Sequence, residues 1–231
     1  MVLSLLSLLL SGDVARADIL DLMVSFAALL FCMFVSLPVH ESAHAYAAYR
    51  LGDDTGRLSG RISLNPFAHL SFAGTMLMLF IGVGFAKPVP VNIRNFKNRK
   101  LGFALTSAAG PLSNILMSVL AVIAAALIAA FAAPSNVAVL LNLFFFYVAL
   151  YNFSLALFNL IPIPPLDGSR LVTLVLPDKY YYKLLQYERY FIYIILGLAF
   201  LNNRLGLLPS FGDASFIVVS WLETLLINIF Q

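Results

Sequence analysis

Two histidines and an acidic residue lie close together in the segment His40-Glu41-Ser42-Ala43-His44. On an α-helix, side chains four residues apart lie on one face, one turn apart, so both imidazoles can aim at a common point. Neutral imidazole nitrogen is a good zinc ligand, and a nearby carboxylate can take a proton from water that the metal activates. The pattern H-E-x-x-H therefore predicts a zinc-dependent hydrolytic site with His40 and His44 as ligands and Glu41 as the general base.

An apolar segment leads directly into this motif. Ile19–Val39 contains only three polar residues and is long enough to cross a membrane as a helix. An ionisable group at membrane depth costs about 2.5–3.5 kcal/mol, so three such groups within five positions indicate a functional site. We expect the helix to continue through Tyr49 and to stop near Gly52.

The composition is that of a membrane protein. Of 231 residues, 61% are hydrophobic and 11% are charged, whereas soluble domains average about 45–50% and about 25%. We predict an all-α multi-pass membrane protein with five to six transmembrane or re-entrant helices and a small β-hairpin or sheet. One integral-membrane domain is expected over residues 1–231, with a catalytic core at about 19–178. The net charge of +3 is interpreted as a topology signal that excludes nucleic-acid binding.

The remaining apolar segments give a coarse secondary-structure prediction. Val2–Leu10 is interpreted as an interfacial or re-entrant segment rather than a cleaved signal peptide, because no basic residue precedes it. Thr55–Pro66 is expected to be loop or short strand, and Pro88–Val91 an edge strand. The predicted apolar helices are Leu70–Ala86 (a minimal span or a re-entrant segment), Leu101–Ala133 with a break at Gly110-Pro111, Val137–Leu160, Tyr180–Leu201 and Phe216–Phe230.

A catalytic zinc ion requires a third protein ligand. His69 and Asp167 are the main candidates, because Glu188 and Glu223 lie in segments without a matching motif. Asp167 follows a proline-rich break, and membranes tolerate freed backbone groups only around a cavity or a buried polar site. An Asp-Gly pair is equally typical of an ordinary turn, so the local sequence leaves the third ligand open.

Five separated motifs follow one another between Pro38 and Arg170. They are His40-Glu41-Ser42-Ala43-His44, Asn65-Pro66-Phe67-Ala68-His69, Ala86-Lys87-Pro88-Val89-Pro90-Val91-Asn92, Ala109-Gly110-Pro111-Leu112-Ser113-Asn114 and Asn159-Leu160-Ile161-Pro162-Ile163-Pro164-Pro165-Leu166-Asp167-Gly168. In these motifs and their order the sequence resembles the site-two protease family of intramembrane zinc metalloproteases.

The resemblance implies a role for each matched residue. His40, His44 and Asp167 would bind one zinc ion, Glu41 would be the general base, and Asn159 would position the substrate or its developing oxyanion. Asn159 precedes Asp167 by about two helical turns, so on a helix both could face one cavity. The alternative for Asn159 is a polar contact between helices. For His69 we favour a local structural role or a cavity wall.

The resemblance also implies an activity and a location. The expected enzyme is a zinc metalloendopeptidase of a bacterial cytoplasmic membrane that cleaves membrane-protein or signal-peptide-like substrates in or near their transmembrane segments. Pro88, Val89, Pro90 and Val91 could bind an extended substrate as a neighbouring strand, or could form an ordinary structural hairpin. The PDZ and CBS domains of many relatives are not expected, and the oligomeric state stays open.

Two other functions fit some of these features. A zinc transporter also places histidine and acidic groups in a membrane, but it would show ligands on several helices and usually an internal repeat. Here all three histidines precede residue 70 and no repeat is found. A non-catalytic relative that only binds membrane segments is disfavoured by the intact Glu41.

Overall fold

The computed structural model describes residues 16–81, 85–177, 190, 191, 193, 194, 197 and 211–230. This part is mostly helical, and four of its helices are long and apolar enough to cross a membrane. The predicted helical multi-pass class is therefore confirmed, while the predicted count of five to six is not. Most of the predicted Tyr180–Leu201 helix, the Val2–Leu10 segment and Glu188 lie outside the described residues.

The first long helix has a local widening before the metal-binding motif. It consists of α1 (Arg16–Phe31), a π-helical turn (Cys32–Ser36) and α2 (Leu37–Arg50). Pro38 has no backbone N–H and cannot donate the usual helical hydrogen bond. Just before it, the Leu37 N–H donates to the Cys32 carbonyl, one residue farther back than in an α-helix, which makes this turn π-helical. The helix thus continues through the motif and ends at Arg50, near the predicted stop.

The connection after α2 doubles back on itself. It contains α3 (Thr55–Leu58), α4 (Pro66–His69) and α5 (Phe72–Ile81), so the prediction of loop or strand for Thr55–Pro66 is wrong at α3. The ten residues of α5 extend only about 15 Å. Leu70 and Ala86 pair in an antiparallel bridge, which brings the two ends of this apolar segment together. The two described ends of the segment therefore lie side by side, which favours the re-entrant alternative over a crossing.

The predicted β-hairpin is not confirmed, because that bridge is the one β-pairing among the described residues. Pro88–Val91 follows the bridge without joining a strand. Its two prolines have no N–H for a ladder, and the Asn92 N–H that follows donates to the Asp53 carboxylate at 2.7 Å. A 3-10 turn at Ile93–Asn95 completes the connection.

Two antiparallel helices form the centre of the bundle. They are α6 (Arg99–Phe131) and α7 (Asn136–Asn159), capped at their N-termini by Asn98 and Ser135. The predicted break at Gly110-Pro111 is wrong, because α6 continues through Pro111. A proline removes one backbone hydrogen bond, and membrane helices tolerate this where packed neighbours surround them.

Small residues bring the long helices together around an apolar core. After α7 the described residues form α8 (Gly168–Leu171), a 3-10 turn (Val172–Leu174) and α9 (Phe211–Phe230). Where α1, α6, α7 and α9 meet, the buried side chains are Ala28, Cys32, Ala121, Val122, Val148, Ala149 and Val219. Large apolar side chains on the outer faces, among them Leu112, Leu116 and Trp221, are exposed, as the lipid-facing surface of a bundle requires.

Candidate metal centre

Three ligand atoms from two distant parts of the chain meet in a small triangle. His40 Nε2 and His44 Nε2 on α2 lie 3.0 Å apart. Asp167 Oδ2, at the N-terminus of α8, lies 3.3 Å from His40 Nε2 and 3.2 Å from His44 Nε2. Both histidines are buried, and the carboxylate side chain is 17% exposed.

The dimensions of the triangle fit a zinc ion. Zinc takes imidazole and carboxylate ligands at about 2.0–2.2 Å in a tetrahedral arrangement, which places neighbouring ligand atoms ~3.3 Å apart. The three observed separations lie close to that value. Two imidazoles and one carboxylate also form a ligand set that catalytic zinc sites use, with a fourth position left for a reactant. His40, His44 and Asp167 would therefore hold the metal.

A backbone contact fixes which nitrogen of His44 faces the metal. His44 Nδ1 lies 2.8 Å from the Thr106 carbonyl oxygen on α6. A carbonyl oxygen can only accept, so the proton is on Nδ1 and Nε2 presents its lone pair. Contacts of this kind orient metal-binding histidines and tune their basicity.

The chain after α7 folds back to bring Asp167 to the histidines. At Gly168 a Cβ atom would collide with the carbonyl oxygens of Leu160 and Ile161, so only glycine permits this close return. Ser107 on α6 then donates its hydroxyl to the Asp167 carbonyl at 3.0 Å and to Oδ1 at 3.3 Å.

Gly110 lets α6 approach the histidine pair. A Cβ atom built there would lie 2.6 Å from His40 Cε1 and would also overlap the His44 ring. The sequence prediction treated this glycine as part of a helix break, and the structure shows it as the contact point between α6 and the metal ligands. A search for metal-ligating side chains misses three further site residues, because they leave room for the ligands or hydrogen-bond to them. These residues are Gly110, Thr106 and Ser107.

The other residues considered from the sequence lie outside the triangle. His69 Nε2 lies 2.8 Å from the Ser63 carbonyl oxygen. Glu223 accepts a hydrogen bond from Asn142. Asn159 is the last residue of α7 and donates to the Leu155 carbonyl at 3.0 Å. Asn159 and Asp167 do not lie on one helix, because α7 ends at Asn159, so the helical spacing gives no support for a shared cavity. Glu41 is partly exposed on α2, directly after His40.

Fold and site together define a class of protein. A bundle with four membrane-length helices holds a two-histidine, one-carboxylate centre in which the glutamate of H-E-x-x-H adjoins the first ligand. This combination is that of a membrane-embedded zinc metalloprotease.

Comparison with known proteins agrees. The sequence profile of peptidase family M50 matches residues 127–201, a segment that includes Asp167. The chain is 41% identical to the candidate zinc metalloprotease YwhC of Bacillus subtilis (strain 168) over 172 residues, which cover 74% of this chain and 78% of YwhC. The chain belongs to peptidase family M50, the site-two protease type of intramembrane metalloprotease.

More distant relatives come from mycobacteria. The candidate zinc metalloprotease Rip2 of Mycobacterium tuberculosis (strain ATCC 25618 / H37Rv) is 30% identical over 138 residues, which cover 58% of this chain and 51% of Rip2. The Rip2 protein of Mycolicibacterium smegmatis is 32% identical over 142 residues, with the same shares of the two chains. No solved structure matches the chain.

Proposed function

We propose that this protein is a zinc metalloendopeptidase of a bacterial cytoplasmic membrane that cleaves membrane-protein substrates in or near their transmembrane segments. The observation that carries the proposal is the triangle of His40 Nε2, His44 Nε2 and Asp167 Oδ2, whose sides of 3.0–3.3 Å suit a tetrahedral zinc ion. Family membership and the bacterial origin of the relatives support the activity and the location.

The depth of the site favours cleavage within the bilayer. A basic group at the start of α6, from Arg94 to Lys100, is expected to face the cytoplasm. Gly110, which contacts the histidines, lies eleven residues beyond Arg99, a rise of about 16 Å along the helix. The metal centre therefore sits inside the membrane, towards the cytoplasmic side.

The chemistry divides between the metal and the side chains. A bound zinc ion polarises a carbonyl group and makes water more acidic. Glu41 is the general base that takes the proton from the attacking water at its carboxylate and delivers it to the leaving amine nitrogen. Burial of His40 and His44 excludes bulk water around the ligands, which strengthens these electrostatic interactions.

Asn159 is proposed to position the substrate or the developing oxyanion. Its side-chain N–H bonds to the Leu155 carbonyl of its own turn. Asn159 also lies at the end of α7, where the chain begins its return to Asp167. To serve an oxyanion the amide must exchange this local bond for one to substrate, a change that catalytic groups often make only once the substrate is bound.

The segment Pro88–Val91 is proposed as the strand that receives an unwound substrate. It is anchored at both ends, since the Lys87 N–H donates to the His69 carbonyl and the Asn92 N–H donates to Asp53. Between these anchors, the hydrogen bonds of the described residues include none from the main chain of Pro88–Val91. The N–H groups of Val89 and Val91 and the C=O groups of the segment could therefore pair with an extended peptide.

The proposed function is tested with purified protein in detergent. Wild-type protein should contain one zinc ion per chain by elemental analysis and should cut a model transmembrane segment. Glu41→Gln should retain the zinc and lose cleavage, because only the proton acceptor is removed. Normal cleavage by Glu41→Gln would exclude Glu41 as the base.

Ligand variants test the triangle itself. His40→Ala and Asp167→Ala should lose zinc, whereas His69→Ala should retain it, because His69 contacts the Ser63 carbonyl instead. Full zinc occupancy in Asp167→Ala would move the third ligand elsewhere. Cleavage by Asn159→Leu at the wild-type rate would remove Asn159 from substrate positioning.

A further inference from the structure

Several buried polar atoms at His40 and in the adjoining turns of the helices have no hydrogen-bond partner in the described part of the chain. These atoms are His40 Nδ1, Ser36 Oγ, Asn152 Oδ1 and both side-chain atoms of Asn114. Each of these residues is almost fully buried, and Asn114 and Asn152 are 0% exposed. Buried amides are nearly always paired, so an amide with both atoms unpaired indicates a bridging ligand.

Two contacts between α6 and α7 place Asn114 and Asn152 at the same level. Ser118 donates to the Ala149 carbonyl, and Asn142 donates to the Ala125 carbonyl. The seven residues from Ser118 to Ala125 on α6 thus run alongside the seven residues from Ala149 back to Asn142 on α7. Counting one turn back from the Ser118 contact sets Asn114 opposite Phe153, the neighbour of Asn152.

The first long helix reaches the same level. Asn152 Nδ2 lies 3.4 Å from Cys32 Sγ, in the π-helical turn that also contains Ser36. The Ser36 hydroxyl lies beside the same thiol, which is a weak hydrogen-bond partner. His40 follows Ser36 by about one turn. Three helices therefore contribute polar groups along about two helical turns, from Cys32 to His40.

The direction of Asn114 follows from its neighbours on α6. Gly110, four residues before it, faces the histidine rings, and Ser118, four residues after it, bonds to α7. Residues four apart share a helix face, so Asn114 points into the groove between the first long helix and α7. A Cβ atom at Gly110 would meet His40 at Cε1, the ring carbon between Nδ1 and Nε2, so this part of α6 lies against the His40 ring.

The donors and acceptors of these polar groups are complementary. With Nε2 turned to the metal, His40 carries its proton on Nδ1 and needs an acceptor. Asn114 and Ser36 offer both donors and acceptors, and Asn152 offers an oxygen. A buried water requires two to four polar partners of this kind.

We propose that Asn114, with Asn152 and Ser36, forms a buried water-binding site in which an ordered water accepts the Nδ1–H of His40 and so orients this metal ligand. The inference rests on the proposed metal centre. Asn114 acts through His40 and is a positioning residue. It gives His40 the outer partner that the Thr106 carbonyl gives His44.

The test uses zinc titration, thermal unfolding and ¹⁵N-histidine NMR on the full-length protein in detergent, whose three histidines keep the spectrum simple. Asn114→Leu should weaken zinc binding about tenfold or more and shift the His40 Nδ1–H resonance without moving that of His69. Its unfolding temperature should fall, because the loss of the amide leaves the His40 Nδ1–H and the other buried polar groups of the site short of a partner. Asn114→Ser, which keeps a hydroxyl and leaves room for water, should recover part of the zinc affinity.

Ser118→Ala is the matched control on the next turn of α6. It loses the bond to Ala149 and should leave zinc affinity and the His40 resonance unchanged. Wild-type zinc affinity and an unmoved His40 resonance in Asn114→Leu would overturn the water site while leaving the metal centre intact. Asn114→Ser as weak as Asn114→Leu would also overturn it. A wild-type chain that binds no zinc would overturn the metal centre and this inference together.

Discussion

The two halves of the first long helix lie in contrasting surroundings. Around α1 the buried neighbours are mainly apolar residues such as Ala121, Val122 and Val148, whose contact is non-directional packing. Around α2 and the third ligand Asp167, the neighbours on α6 are a glycine, a serine hydroxyl and a backbone carbonyl, each placed against the metal ligands. The apolar half therefore sets how closely the helices approach, while the polar half sets ligand geometry.

Adding one methyl group to the polar half should have the largest effect. Gly110→Ala places a Cβ atom against the rings of His40 and His44, and neither ring can move without leaving the ligand triangle. We expect zinc affinity to fall by at least about 100-fold, the upper end for changes around metal ligands, and cleavage to fall with it. Zinc titration checks this, and tight zinc binding by Gly110→Ala would show that the contact is not a constraint.

Removing one hydrogen bond to a ligand should have an intermediate effect. Ser107→Ala deletes the donor to both Asp167 oxygens while all three ligands remain. We expect zinc binding to weaken about tenfold, measured by competition with a chelator. Ser113→Ala is a suitable control, because Ser113 bonds only to the Gly110 carbonyl and should change zinc affinity little.

The anchor of the proposed substrate strand should make stability depend on pH. Asp53 is fully buried, and although burial opposes its ionisation, hydrogen bonds from Thr55, Asn92 and Asn95 hold its pKa below the ordinary value. A lowered folded-state pKa means that the carboxylate stabilises the fold above about pH 4 and that this contribution is lost as pH falls through the folded pKa. Asp53→Asn should therefore cost about 1–3 kcal/mol near neutral pH, with a difference from wild type that shrinks in acid.

The neighbouring Asp54 is the matched control for that experiment. It forms a half-exposed ion pair with Arg57 at 2.8 Å, and surface pairs contribute about 0–1 kcal/mol. Asp54→Asn should leave unfolding near neutral pH almost unchanged. Equal losses in the two variants, measured by denaturant unfolding in detergent, would contradict a special role for Asp53.

The smallest effect on the metal centre should come from the apolar half. Val148→Ala removes buried packing atoms in the core formed by α1, α6, α7 and α9, at a cost of about 1 kcal/mol. Zinc affinity should stay at the wild-type value, because Val148 touches none of the ligand contacts described above. A large loss of zinc affinity in Val148→Ala would show that packing around α1 controls the ligand geometry at α2, contrary to the comparison made above.

Local patterns in the sequence determined the helical membrane class and two of the three metal ligands. His40 and His44 converge because four residues make about one turn, and Ile19–Val39 is helical because lipid leaves an isolated apolar segment no other way to satisfy its backbone. The tertiary structure alone decided the rest. Whether Asp167 or His69 completes the triangle depends on where the chain folds back after α7, and that return needs the close approach at Gly168. The roles of Gly110, Ser107 and Asn114 depend on which helix faces them, a relation between distant segments that no local pattern contains.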